Sequence, residues 1–167
     1  MKIDAGITWV DGDDSNHEAK RMEYYNRNIH ESKGIIPKVI HYCWFGHTPL
    51  PQAAQECIKS WRKYMPDYEI KEWNESNFDV YMTTYTEEAY LLKKYAFVSD
   101  YARFWILYHY GGIYFDVDVE LLKPIDDIIA QGAFMGLENM KGSKHGDIVA
   151  VNAGLGLAVN SGHTLYK

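Results

Sequence analysis

The sequence has little cysteine and no cluster of lysine or arginine. Its two cysteines, Cys43 and Cys57, cannot form a disulfide framework and lack zinc-motif spacing. They indicate small buried residues in a reducing compartment. The net charge is −6, which argues against nucleic acid as a partner because the phosphate backbone selects basic surfaces.

Long apolar runs are also missing. No segment approaches the roughly 18 apolar residues that span a bilayer, and the start of the chain lacks the apolar run of a signal peptide. We therefore expect a cytoplasmic protein, with peripheral contact to the inner face of the cell membrane left open. Hydrophobic residues make up 47% of the chain, enough for a core and for an apolar surface that could drive self-association.

The order of sequence patterns predicts an α/β domain with a largely parallel sheet, because strands alternate with helices. We divide the 167 residues into an extension over 1–34 and a main domain over 35–167. The predicted strands cover 3–10, 37–46, 68–73, 113–115 and 133–137. The predicted helices cover 52–64, 87–95 and 98–110.

The most informative pattern joins a helix to a strand that ends in two carboxylates. Asp100 and Arg103 lie three residues apart on the predicted helix, so both project from one face. The following strand delivers Asp116 and Asp118, and a period of two places both on one side of the backbone. Ligands of open α/β sheets bind beyond the carboxyl ends of strands.

Two carboxylates at such a place repel each other unless a cation lies nearby. Oxygen ligands suit Mg²⁺ or Mn²⁺, which usually take one or two carboxylates together with phosphate oxygens. The pattern therefore predicts a divalent ion between the protein and a phosphorylated ligand. The alternative interpretation is a solvated turn after the strand.

Several separated segments, taken together, resemble glycosyltransferase family 32 and the DXD sugar-binding glycosyltransferases. They are 36–46, the helix with Ser99, Asp100 and Arg103, the turn over 111–118, and 152–154. Bacterial capsular-polysaccharide transferases and yeast-type mannosyltransferases belong to this group, and clostridial cytotoxin domains resemble it more distantly. The resemblance implies a GT-A-like, Rossmann-type fold. It also implies Mn²⁺ or Mg²⁺ and retaining transfer from a UDP- or GDP-sugar to a polysaccharide or glycolipid acceptor.

The same resemblance implies the site residues, which are Trp44, Ser99, Asp100, Arg103, Gly112, Asp116, Asp118 and Asn152. Trp44 would stack on the nucleotide base, and Asp100 and Arg103 would contact the donor sugar and its phosphates. Asp116 would contact the ribose or hold the ion through water, and Asp118 would bind the ion directly.

Each role has a simpler structural alternative. Trp44 could be a core tryptophan, Asp100 and Arg103 a helix-surface ion pair, and Asn152 a turn residue that contacts neither donor nor acceptor. The chemistry itself needs no protein nucleophile, since a metal ion on Asp118 beside Arg103 would stabilise the departing diphosphate. His41 and His109 lie in a predicted strand and a predicted helix that both look packed, so they are interpreted as core histidines.

Three further expectations concern the rest of the chain. Relatives usually continue past the Asn152 segment, which predicts a shortened donor-binding domain or a binding remnant with little turnover. Residues 7–14 resemble the first region of Stealth-type capsule phosphotransferases, and Asp11, Asp13 and Asp14 there fit a solvated acidic turn. The segment 115–118 also fits the opening of haloacid-dehalogenase-type phosphatases, although Glu120 departs from that pattern.

Overall fold

The computed structural model describes residues 35–143 and 146–166, within one compact unit over 34–167. The expectations for the extension over 1–34, including its strand and acidic turn, lie outside the described residues. Within the part of the chain that is described, no helix is long and apolar enough to cross a membrane.

The secondary structure follows the alternating order expected. The strands are β1 Val39–Cys43, β2 Glu69–Trp73, β3 Gly112–Tyr114, β4 Phe134–Met135, β5 Leu137–Ser143, β6 Gly146–Val151 and β7 Leu157–Val159. The helices are α1 Gln52–Tyr64, α2 Thr84–Leu91, α3 Tyr95–Tyr110 and the short α4 Asp126–Ile129, and a 3-10 turn covers Thr164–Tyr166.

The central sheet has the strand order β2-β1-β3-β7-β4. β1 pairs in parallel with both β2 and β3, whereas β7 runs antiparallel to β3 and β4. Only β7 is reversed in this sheet, so the prediction of a mostly parallel sheet is confirmed. The β5–β6 hairpin forms a separate two-stranded sheet, which the sequence pattern did not predict.

Two core layers cover the faces of this sheet. On one face α3 packs Val98, Ala102 and Ile106, at a spacing of four residues, against the sheet. On the other face α1 packs Ile58 and Trp61. Trp61 is fully buried, and its indole N–H donates to the carbonyl of Val119, 2.7 Å away. This contact holds the chain that follows β3.

Helix α2 begins and ends earlier than predicted, whereas α3 begins earlier than predicted but ends at Tyr110 as predicted. Thr83 caps α2 because its hydroxyl accepts from the N–H of Thr86, whose own hydroxyl accepts from the N–H of Thr83. This reciprocal box uses threonine where glutamate is more common, so it is a weak sequence signal. Lys93 then takes a positive φ of 56° and ends the helical segment before α3 begins.

The two histidines that were expected in the core, His41 and His109, differ in burial. His41 is a core histidine, as expected: Trp73 Nε1 donates to its Nδ1 at 3.1 Å, and its Nε2 lies 3.0 Å from the Gly111 carbonyl. Its burial lowers the pKa of His41 to about 4. The expectation for His109 is wrong, because His109 is exposed; its ring is tilted by 47° against that of Trp105, with ring centroids 4.4 Å apart.

Candidate functional site

A cleft of about 400 Å³ opens at the carboxyl ends of β1 and β3, against the first half of α3. This is the edge of the sheet at which the sequence predicted ligand binding. Of the predicted site residues, the ones that line the cleft are Trp44, Ser99, Asp100, Arg103, Asp116 and Asp118. The fold therefore gathers residues from three separate segments around one space.

Arg103 is the centre of the charged network. Its side chain is only 7% exposed, and its Nη2 lies 2.6 Å from Asp100 Oδ1 and 3.3 Å from Asp116 Oδ1. Its Nε donates to the Ser99 carbonyl at 3.2 Å, and the guanidinium lies over the ring of Tyr114. The pair of Asp100 and Arg103 is thus not a helix-surface ion pair, because it extends across to the end of β3.

Asp116 is held on several sides. The Tyr114 hydroxyl donates to its Oδ1 at 3.0 Å, and its own N–H donates to the Gly154 carbonyl at 2.9 Å. A Cβ added to Gly154 would overlap the Asp116 carboxylate, so only glycine fits there. Burial raises the pKa of Asp116 above its ordinary value, and this outweighs the opposite effects of Arg103 and Tyr114.

Of the two carboxylates that follow β3, Asp118 is more exposed than Asp116. It is exposed at the lip of the cleft, and none of the described residues donates a hydrogen bond to it. In the described ranges no group of three or more His, Cys, Asp or Glu side chains could hold a metal ion. Asp116 and Asp118 line the cleft, and carboxylate oxygens are ligands that a hard divalent cation takes together with phosphate oxygens and water.

Trp44 forms one wall of the cleft in the turn after β1. Its indole N–H donates to the Thr48 carbonyl at 2.7 Å, and its backbone N–H donates to the Trp73 carbonyl at 2.8 Å. Because the ring is half-buried and fixed by its own N–H, it can serve as a platform for a flat ligand.

Gly112 and Asn152 do not line the cleft. Gly112 begins β3, at the end away from Asp116, and has a φ of 99°. A Cβ there would lie 2.7 Å from the carbonyl of Val39, so close strand packing by itself requires glycine at this position. Asn152 accepts from the Gly154 N–H at 2.9 Å, so it is a turn residue that shapes the segment against Asp116.

Tyr114 and Gly154 were not predicted as site residues. Tyr114 carries a signal that could have revealed it, since residues 114, 116 and 118 share one side under a period of two. Gly154 carries none by itself, because its contact with Asp116 joins segments that are far apart in sequence.

Comparison with a solved structure first shows the fold. The chain is similar in structure to the solved "PaToxG Glycosyltransferase", with a TM-score of 0.58, 18% identity, and coverage of 90% of this chain and 65% of that one. This likeness shows the fold alone, and it confirms the predicted GT-A-like α/β architecture.

The family follows from the sequence itself. Residues 51–135 match the family described as "Glycosyltransferase sugar-binding region containing DXD motif", and this chain belongs to it. Inositol phosphoceramide mannosyltransferase 1 of Schizosaccharomyces pombe is 30% identical over 111 residues, which are 60% of this chain and 33% of that protein. Mannosyl phosphorylinositol ceramide synthase SUR1 of Saccharomyces cerevisiae is 25% identical over 131 residues, which are 74% of this chain and 33% of that protein. The chain thus spans about a third of the length of these two relatives.

Proposed function

We propose that this domain binds a nucleotide sugar and transfers the sugar to a hydroxyl group of a glycan or glycolipid, with Mn²⁺ or Mg²⁺ as cofactor. The observation that carries the proposal is that Trp44, Arg103 and Asp118 line a single cleft. An aromatic wall, a fixed cation and an open carboxylate match the base, the diphosphate and the metal ion of such a donor.

The chain's own residues divide the work of binding and charge stabilisation. Arg103 is oriented by Asp100, Ser99 and Asp116, so its charge is in place before a ligand arrives. In a nearly buried position this charge stabilises the negative charge that develops on a departing diphosphate. Asp118 and, through water, Asp116 would hold the divalent ion, which supplies Lewis-acid stabilisation of the same leaving group.

The finer features of the reaction rest on likeness to other proteins. Retention at the anomeric carbon follows the resemblance to family 32. The relatives from yeasts are named as mannosyltransferases acting on inositol phosphoceramide, or as the synthase of a mannosylated ceramide. These names favour mannose as the sugar and a glycolipid as the acceptor of this chain.

Turnover is the direct test. The protein is incubated with UDP- and GDP-sugars and Mn²⁺, and the released nucleoside diphosphate is measured with and without a glycolipid acceptor. We expect release that depends on the ion and is lost in Arg103→Lys, which keeps the charge but not the planar fork. Lys59→Arg, a change in an exposed pair on α1, is the control and retains activity.

Three other outcomes would count against the proposal. Donor binding without release would identify a domain that only binds nucleotide sugars. Hydrolysis of p-nitrophenyl phosphate without release from any donor would identify a phosphatase that uses Asp116 and Asp118. Absence of both binding and hydrolysis would contradict the proposal altogether.

A further inference from the structure

The turn between α2 and α3 exposes apolar side chains beside two lysines. We call Leu91, Leu92, Lys93, Lys94 and Phe97 the α2–α3 tip. Leu91 and Leu92 are 64% and 67% exposed, and Phe97 is 47% exposed. Single exposed apolar residues are ordinary on a protein surface, but adjacent ones indicate a surface that is covered in use.

The backbone of the tip is firmly built. The N–H of Lys93 donates to the Tyr90 carbonyl at 2.9 Å, and the N–H of Lys94 donates to the Ala89 carbonyl at 2.8 Å. These two bonds form a Schellman motif, in which the residue after the helix takes a left-handed conformation. The leucines therefore project from a fixed turn.

Glycine normally occupies the left-handed position, and here it is Lys93, with a φ of 56°. A lysine in this conformation is less favourable than glycine. Strained positions of this kind cluster at functional sites. The conformation of the turn by itself therefore does not call for a lysine at this position.

The charges of the tip select the partner. Lys93 and Lys94 are adjacent and both are exposed, directly beside the apolar side chains of the tip. The Lys94 ammonium also lies 5.7 Å from the centre of the Phe97 ring. Apolar side chains flanked by lysines are the composition of segments that bind the interface of anionic membranes. Glu87 and Glu88 are exposed one turn earlier on α2, so only the α2–α3 tip itself can enter the lipid.

We propose that the α2–α3 tip docks this domain on an anionic lipid surface. Leu91, Leu92 and Phe97 would enter the interface, while Lys93 and Lys94 would bind lipid headgroups. Tyr95 and Ala96, which follow the lysines directly, line the cleft, so docking places the cleft close to the lipid surface. Docking stands without the proposed function, and only its use in presenting a lipid acceptor rests on it.

The experiment is co-sedimentation of the full chain with vesicles of phosphatidylcholine alone or mixed with phosphatidylglycerol. We expect binding only to the mixed vesicles, and weaker binding at high salt. The double variant Leu91→Ser with Leu92→Ser should bind the mixed vesicles at least about tenfold more weakly, because burial of the leucine side chains drives insertion. The control Leu122→Ser changes a leucine that is 77% exposed and lies outside the tip, and it should bind as the original chain does.

Lys93→Gly separates charge from strain. It should weaken binding to the mixed vesicles about fivefold, the effect of one lysine at an anionic surface. It should also raise the urea midpoint of unfolding, because glycine relieves the left-handed strain. A purely structural lysine would give the second effect without the first.

Several results would overturn the proposal. The original chain could fail to bind mixed vesicles, or the two tip variants could bind as well as it does. Equal loss in Leu122→Ser would indicate nonspecific adsorption. A dimer in light scattering that dissociates in the double leucine variant would show that a second copy covers the tip. Donor binding, measured by calorimetry without vesicles, reports separately on the proposed function.

Discussion

Arg103 and Asp116 meet across the junction of α3 and β3, with Nη2 and Oδ1 3.3 Å apart. The arginine is almost buried while the carboxylate keeps about a third of its surface exposed. This ion pair joins the helix pattern to the carboxylate pattern, and it sets the electrostatics of the cleft.

Removal of the guanidinium should cost stability as well as binding. In Arg103→Met the carboxylates of Asp100 and Asp116 lose their shared cation. We expect the free energy of unfolding to fall by about 1–2 kcal/mol, less than for a fully buried pair because both carboxylates reach solvent. Urea unfolding measures it, and Lys59→Met, which breaks an exposed pair, should cost less than about 0.5 kcal/mol. Equal costs for the two variants would contradict the central place of Arg103.

Gly154 should be intolerant of even one added methyl group. In Gly154→Ala the new Cβ would overlap the Asp116 carboxylate and displace it from Tyr114 and Arg103. We expect donor binding, measured by calorimetry, to weaken about tenfold or more, the scale of one lost charged hydrogen bond.

Gly132→Ala provides the matched control for this change. Gly132 has a φ of 109°, but nothing lies near the position of its Cβ. The variant therefore reports backbone strain alone and should bind the donor normally. Normal binding by Gly154→Ala would show that Asp116 need not stay in place.

Trp44 should contribute to nucleotide affinity through its ring. Stacking of an aromatic side chain on a base is worth about 1–3 kcal/mol, so Trp44→Ala should weaken binding of the free nucleoside diphosphate about tenfold. Trp44→Phe should retain most of the affinity, although it loses the hydrogen bond to Thr48. If the alanine variant binds as tightly as the original chain, Trp44 is only a packing residue.

His41 should make stability depend on pH. Burial lowers the pKa of His41 from 6.5 to about 4, with Lys71 adding to this effect and the Gly111 carbonyl opposing it. The unfolded chain therefore binds more protons between these values. Stability that the neutral ring contributes above about pH 6.5 is lost as the pH falls toward about 4, by about 3 kcal/mol in total.

Urea unfolding at about pH 7 and about pH 4.5 measures this loss. His41→Gln should be less stable near neutral pH and should show a flatter dependence on pH. His109→Gln removes an exposed histidine instead and should keep the original slope. An unchanged slope in His41→Gln would contradict the account.

Short sequence patterns predicted helices and strands whose buried face is marked by regularly spaced apolar residues. The helix over 52–64 was predicted to its ends because Ala54, Ile58 and Trp61 mark its buried face between Pro51 and Pro66. The β5–β6 hairpin was missed because residues 138–147 are mostly polar and contain two glycines, Gly142 and Gly146, rather than a clear alternation of polar and apolar residues. Its strands pair with each other and need no face toward the central sheet.

The site was predictable to the same extent. Spacing paired Asp100 with Arg103 and Asp116 with Asp118, and the family resemblance implied that both pairs serve one site. In the structure the four residues line one cleft. The contact of Gly154 with Asp116 depends on the antiparallel return of β7 beside β3, which no short pattern encodes. Gly112 lies outside the cleft, and its pattern could not distinguish close packing from ligand approach, since a glycine beside a strand can serve either.

The central claim is that the open carboxylate of Asp118 holds the ion that binds the donor. The most direct measurement is calorimetry of UDP- and GDP-sugars with the original chain, Asp118→Asn and the control Glu120→Gln, each with Mn²⁺ and with chelator. The account predicts heat that needs Mn²⁺ in the original chain and in Glu120→Gln, and none in Asp118→Asn, with unchanged thermal unfolding in all three. Donor binding by Asp118→Asn with the original affinity and dependence on Mn²⁺ would contradict it.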